Sequence, residues 1–548
     1  MTVFQHCEQT VRKLRTRKKG PFSLPIFAAF LLLSSTCIAP AQTPSFLWAH
    51  IAGGATNDQA QAVARDLSGN IIVSGFFMGT CSIGTTNLVS AGLEDIFIAK
   101  YDAAGNFLWA RQAGGTGYDE GRGVAVDSSG NIYVAGLFQN SASFGATVLA
   151  SSGGNDIFIA KYDPSGNLVW AKAAGGTADD EAHGVAVDAA GNAYITGFAD
   201  SRTATFGSLS FVNHSGFDNA FVAKCNNAGT FLWVRQISST ADSRGNGIAL
   251  DGATNVFSAG SFAGTATFGS TNLAAAGTSG YPDVFLLKHD LSGNQLWVRQ
   301  AGGTNDDEAN GVAADAAGNT FVTGEFLGPA TFSNTNLPGN GTKQIFVARY
   351  DAAGNLLWVR AAGGNNLIYG NAGLAVANDT NGNAFVTGFF SGNGLFGTNI
   401  VASAGFDDLF CSKYDSAGNV LWVRSAGGQD LDLSYGIAAD WAGNAYLAGW
   451  FASSTVTFDN FTLTNTSARD VFLVKLGLAP PPTIKAALVN HQLVLTWPAY
   501  AGGFGLESAA AFPSPTWVTN PATPALIGTN CVLTLPSSDP ARFFRLRK

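Results

Sequence analysis

Apolar residues in this chain fall in short runs closed by polar turns. "GVAVD" (123–127) and "IYVAGLF" (132–138) flank Ser128-Ser129-Gly130-Asn131. "DIFIAKY" (156–162) and "LVWAKA" (168–173) flank Asp163-Pro164-Ser165-Gly166-Asn167. Runs of this length, rich in Val, Ile, Tyr and Phe and bounded by Gly and Asn, predict β-strands joined as hairpins. The D-x-x-G-N phrase has a local reason: Asp accepts backbone amides of its own turn, and Gly takes the left-handed position. The strands carry apolar residues on both faces, so each sheet needs cover on both sides.

This pair of hairpins repeats along the chain. "GVAVDSSGNIYVAG" (123–136) returns as "GVAVDAAGNAYITG" (184–197) and "GIAADWAGNAYLAG" (436–449). Trp48, Trp109, Trp170, Trp233, Trp297, Trp358 and Trp422 mark a period of 61 to 64 residues. A Phe-x-x-Lys/Arg marker begins at Phe97, Phe158, Phe221, Phe285, Phe346, Phe410 and Phe472, so both markers count seven. Side chains grow from Gly, Ala and Val in the first strand to Trp in the fourth, the gradient of a wedge. Seven such sheets around an axis predict an all-β, seven-bladed β-propeller over residues 42–477. The ends of the array agree with the count. "FLWAHI" (46–51) has no first strand before it, and "DVFLVKL" (470–476) has no Trp strand after it. The N-terminal strand is therefore expected to complete the seventh blade and close the ring.

The phrase "GVAVDSSGNIYVAG", with "FIAKYD" and a trailing "LW", resembles the bacterial seven-bladed β-propeller repeat family of the SBBP type, over roughly residues 46–476. The fourth repeat departs with "GIALDGATNVFSAG" and the sixth with "GLAVANDTNGNAFVTG". The resemblance implies an exported bacterial propeller, usually without a catalytic activity, and names no ligand.

The two ends add to this picture. Arg12, Lys13, Arg15, Arg17, Lys18 and Lys19 precede an apolar run that ends at Ala39-Pro40-Ala41, which predicts a signal peptide over 1–41. An uncleaved membrane anchor is the alternative, although Pro25 and Ser34-Ser35-Thr36 interrupt the run. After cleavage no membrane span is expected, and the protein should be secreted or held at the cell surface or periplasm of a bacterium. "LAPPP" opens a Pro-rich linker over 478–483. Residues 484–548, with "LVLTWP", "CVLTLP" and "RFFRLRK", predict a small β-sandwich-like domain that resembles fibronectin-type-III-like modules.

Composition narrows the function. Charged residues are only 12% and glycines number 67, which suits turns and buried strands and not disorder. The leader holds six of the 30 Lys/Arg and one of the 38 Asp/Glu, so the remainder carries a formal charge of −13. A chain this acidic is a poor partner for nucleic acid, whose phosphates need basic patches. Cys81, Cys225, Cys411 and Cys531 show no C-x-x-C spacing and read as small buried thiols.

No catalytic constellation stands out. His50, His183, His214, His289 and His491 are scattered, without zinc-ligand spacing. "KYDAAGNFLWAR" (100–111) is similar to the docking turns of quinoprotein dehydrogenases, but no cofactor cluster accompanies it. The candidate site is acidic. Four residues before the residue that opens the first strand stand Asp58, Asp119, Asp180, Asp307 and Asp432, with Glu120, Glu181 and Glu308 following three of them. The fourth repeat has Ser243 there and the sixth Tyr369. These loops should share one face, so the carboxylates either converge as a ring that binds a cation, with Ca²⁺ the fitting ion, or cap their own loops. The segments between second and third strands, such as "FFMGTCSIGTTNLVSAGLE" (76–94), should form rim loops on that face. The reading is a non-enzymatic binding or scaffold propeller without cofactor, recognising a surface polysaccharide or an envelope protein. A propeller enzyme of the carbohydrate lyase or hydrolase type, or of the quinoprotein type, is the alternative. A scaffold should spread similar residues evenly around the channel, and the sequence shows the even pattern, apart from the irregular fourth and sixth repeats.

Overall fold

The computed structural model describes residues 43–252, 254–277, 280–366, 370–478, 483–490, 492–498, 504–509, 516–527, 530–536 and 543–547. The leader, the core of the Pro-rich linker, Tyr369 and His491 lie outside these residues. The chain forms two units, one within Ala41–Pro481 and one within Pro482–Lys548. Every named element among the described residues is a β-strand.

Within the larger unit the D-x-x-G-N turns behave as their chemistry dictates. At Asp127 the carboxylate accepts from Ser129 N (2.9 Å) and Asn131 N (2.9 Å), while Gly130 adopts φ +82°. The strands pair antiparallel in groups of four. One group runs Glu120–Val126, Ile132–Phe144, Thr147–Tyr162 and Leu168–Ala174, with Val124 opposite Val134, Ala135 opposite Ile159 and Lys161 opposite Trp170. We number seven such groups by their first, or inner, strands: Asp58–Arg65, Glu120–Val126, Asp180–Val187, Ser243–Leu250, Asp307–Ala314, Ala372–Asn378 and Asp432–Ala439. The seventh group takes its fourth strand from the other end of the chain. Ser45–Gly54 pairs with Asp470–Gly477, from Ser45 opposite Gly477 to Ala52 opposite Val471.

Groups pack face to face, which is why their strands are apolar on both sides. Ile72, Ile96 and Ile98 of the first group share a core with Val124, Ile132, Val134 and Phe158 of the second. Each inner strand also packs on the next, and Asp432–Ala439 packs on Asp58–Arg65. At the outer edge, Trp109 Nε1 donates to Pro164 O (3.4 Å) and Arg111 Nε to Gly166 O (3.1 Å). Trp297 and Arg299 repeat this on Ala352 and Gly354. The fourth-strand Trp and Arg of one group thus grip the turn of the next.

The predicted rim loops are not loops. Residues 76–94 run through two paired strands, Ile71–Ile83 and Thr86–Tyr101, joined at Gly84, whose φ is +57°. Their tip pairs with the preceding fourth strand, Ala52 opposite Ile83 and Gly54 opposite Cys81. The same crossover joins Gly114 to Ser143, Ile237 to Phe268, Ala301 to Phe332 and Ala362 to Phe396. The Ser/Thr-rich segments are structural clasps between groups, because an unpaired fourth-strand tip offers backbone groups that need partners.

The smaller unit holds a four-stranded sheet with Lys485–Val489, Gln492–Pro498 and Asn530–Pro536, and a three-stranded one with Gly505–Ala509 and Phe543–Arg547. Trp497, Leu495, Leu506, Cys531 and Leu533 form its core. The last strand of "FFRLRK" is paired inside it, and Arg545 and Arg547 both bond Glu507. All four cysteines of the described residues are free and buried.

Candidate functional site

Every inner strand carries a β-bulge near its start, between Gly121 and Gly123 in the second group and at the equivalent place in the other six. The glycine that ends each "YVAG"-type phrase explains its position. A Cβ on Gly75, Gly136, Gly197, Gly260, Gly324, Gly388 or Gly449 would lie only 1.8–2.0 Å from the facing inner-strand carbonyl oxygen. The extra residue of a bulge is re-aimed out of the ladder. Here the seven extra residues are Gln61, Arg122, His183, Asn246, Asn310, Leu374 and Tyr435, and together they line a channel of about 470 Å³.

Side-chain bonds run from group to group around this channel. Arg122 donates to Glu120 (3.0 Å) and across to Glu181 (2.5 Å). His183 bridges Glu181 (3.3 Å) and Asn246 (3.1 Å). Asn246 donates to Ala309 O (2.9 Å) and Asn310 to Gly373 O (3.2 Å). Burial works to raise the Glu181 pKa, but the His183 hydrogen bond and the Arg122 charge outweigh it and hold the carboxylate at about 2. Glu94 goes the other way, pushed up to about 7 by burial and by the neighbouring Glu120. Beside the channel a pocket of about 380 Å³ is lined by Arg122, Asp179, Glu181, His183, Phe198, Asp200, Asp218 and Arg244. Arg244 bonds Asp218 (2.7 Å), and its guanidinium lies 4.9 Å from the centre of the Phe198 ring.

The acidic residues divide. Glu120 and Glu181 reach this mouth, and Glu308 is partly buried beside Glu325, its pKa raised by burial first and then by that neighbour. The aspartates do not converge. Asp58, Asp119, Asp180, Asp307 and Asp432 are buried, none lines the channel, and each Oδ2 accepts from an amide four residues earlier. Those donors are Gly54, Gly115, Gly176, Gly303 and Gly428, at 2.6–2.8 Å. Of the two arrangements the sequence offered, these bonds are those of caps, each Asp holding its own loop. Among the described residues no group of three or more His, Cys, Asp or Glu is arranged for a metal. In the sixth group the capping residue is Asn371 and not Tyr369, since Gly364 N (2.6 Å) donates to Asn371 Oδ1. Its glycine, Gly373, precedes the bulge where Gly123 follows it, so alignment on that Gly slips by two.

Comparison with known proteins bears on this architecture. The β-propeller repeat family SBBP matches residues 108–137 and 296–325. The chain carries the β-propeller repeat at these two places. It is 26% identical to an uncharacterized WD repeat-containing protein of Acanthamoeba polyphaga mimivirus, over 79% of this chain and 38% of that protein. It is 29% identical to the regulatory protein FlaEY of Caulobacter vibrioides, over 29% of this chain and 17% of that one. The propeller thus spans well under half the length of these relatives. Among solved structures, Sqt1 from Chaetomium thermophilum aligns over 82% of this chain and 96% of its own, with 10% identity and a TM-score of 0.36.

The propeller's mouth is not even, contrary to the sequence reading. Groups two to five place Arg122, His183, Asn246 and Asn310 on the channel, whereas groups six and seven place Leu374 and Tyr435 there. In sequence these residues look like noise before a Gly or Ala. Only the bulge, a property of strand pairing, shows that they share one position.

Proposed function

We propose that the chain is an exported, seven-bladed β-propeller closed by its N-terminal strand, with a fibronectin-III-like C-terminal module, and that it binds a surface polysaccharide without catalysing a reaction on it. Closure is supported by the pairing of Ser45–Gly54 with Asp470–Gly477 and by the packing of the seventh inner strand on the first. The ligand reading is supported above all by one observation: exposed aromatic side chains stand at the strand ends of the face that carries the charged mouth. Tyr118, Phe217, Tyr281 and Phe406 are 41–46% exposed. Each stands where a third strand begins or in the turn leading to an inner strand, on the face that carries Glu94, Asp218 and Arg244. Aromatic faces offer stacking surface, and the planar Arg, carboxylate and amide groups offer paired donors and acceptors, the combination that a sugar chain requires.

Calorimetric titration of the full chain against acidic and neutral polysaccharides tests this. The Arg244→Ala/Tyr281→Ala variant is expected to lose at least tenfold in affinity, about 1.4 kcal/mol, without a change in melting temperature. Wild-type binding retained by this variant would place the site elsewhere. Capture of an envelope protein, with no polysaccharide bound, would overturn the ligand class.

A further inference from the structure

We propose that five of the seven blade junctions are proton-sharing clasps, in which two buried aspartates hold one proton between them, so that acid tightens the ring of blades and alkali loosens it. This stands apart from the ligand reading above. Each capping aspartate faces a second one on the third strand of the preceding blade: Asp58 with Asp470, Asp119 with Asp95, Asp180 with Asp156, Asp307 with Asp283 and Asp432 with Asp408. None of the ten is more than 3% exposed. Glycines keep the pairs close. A methyl on Gly114 would lie 2.6 Å from Asp95 Oδ1 and 3.1 Å from Asp119 Oδ2, and Gly175 and Gly302 sit in the same way between their pairs.

The hydrogen bonds leave the proton a place. Backbone amides serve the Oδ2 atoms, as Gly115 N does for Asp119 and Ala91 N for Asp95 (3.0 Å). Oδ1 of Asp95, Asp283 and Asp408 is buried and accepts nothing, whereas Oδ1 of Asp156 accepts from Gly176 N (3.2 Å). Two ionised carboxylates buried near each other repel, and an oxygen without a donor adds to the cost, whereas a protonated carboxyl becomes a donor itself. The other groups facing the pairs offer no cation: Cys81, Thr466 and Ser467 at Asp58–Asp470, Ser201 at Asp180, Gln300 and Asp306 at Asp283–Asp307, and Ser453, Asp407 and Asp430 at Asp408–Asp432.

The chain also carries its own control. At the two remaining junctions both members change together, to Asn219 with Ser243 and to Gln344 with Asn371. Each of these side chains brings its own N–H or O–H donor. Gln344 Nε2 donates to Gly364 O (2.9 Å), and Ser243 Oγ lies 3.3 Å from Ile237 O. In every pair a donor is present, either built into the side chain or supplied as a proton.

Burial, reinforced by the second carboxylate, pushes Asp58, Asp119, Asp180 and Asp307 up to about 7. A carboxyl raised in the folded state stabilises it most below its unfolded value of about 3.9, and that contribution disappears as pH rises through about 7. The melting temperature of the full chain should therefore fall from pH 5 to pH 8. Copying the fourth blade's pair into three junctions (Asp95→Asn/Asp119→Ser, Asp156→Asn/Asp180→Ser, Asp283→Asn/Asp307→Ser) should remove more than half of that fall. An unchanged fall would overturn the proposal. If the six-fold variant does not fold, infrared spectra of the wild type decide. A carboxylic-acid C=O band should persist at pH 6, where surface carboxylates are ionised, and vanish by pH 9. Its absence at pH 6, or its loss on adding Ca²⁺ together with a higher melt, would overturn proton sharing, the latter in favour of cation sites.

Discussion

Removal of residues 42–55 is expected to abolish the cooperative thermal transition of the propeller. Ser45–Gly54 is the fourth strand of the last blade and also pairs with the hairpin tip of the first, so one deletion opens two junctions. Phe46 and Trp48 are 1% and 4% exposed, and burying two such side chains contributes roughly 3–6 kcal/mol. That is comparable to the whole net stability of a typical domain, about 5–15 kcal/mol. The loss continues beyond those contacts. The backbone of Val471–Gly477 loses its partner and becomes an exposed edge, so aggregation should accompany unfolding. Calorimetry of the deleted and intact chains checks this, and matching transitions would disprove closure by the N-terminal strand.

Gly136→Ala is expected to be severely damaging, at about 3 kcal/mol or more. The added Cβ would lie 1.9 Å from Glu120 O, an atom of the neighbouring strand's backbone. Flexible side chains can retreat from an added methyl, but a paired backbone cannot, so the inner strand must move and its bulge with it. The bulge presents Arg122 to the channel, so the proposed polysaccharide binding should weaken along with stability. Ala135→Gly, one residue earlier, is the comparison. Its cost should stay near the ~1 kcal/mol of a strand-interior glycine, and chemical denaturation of both variants separates the two cases. A Gly136→Ala variant as stable as its neighbour would refute the close-approach explanation.

The amino-acid sequence alone determined what depends on short range. A D-x-x-G-N turn closes on its own amides, as at Asp127 and Asp163, so the hairpins could be read wherever the phrase occurs. The period of the tryptophans carried the number of four-stranded groups, because each must present the same faces to its neighbours. The orphan strand at one end and the missing strand at the other pointed to their pairing for the same reason. Only tertiary structure decided the rest, since it depends on what approaches from another group. Residues 76–94 look like loop by composition, yet they pair with the previous blade's fourth strand. Asn371, not Tyr369, caps the sixth blade, because register there follows the bulge and not the glycine. The channel's Arg122, His183 and Tyr435 become equivalent only through the same bulge. Asp95 and Asp119 stand 24 residues apart, one in a third strand and the other just before the next blade's inner strand. No local pattern marks them as partners, and folding brings both carboxyls against one glycine.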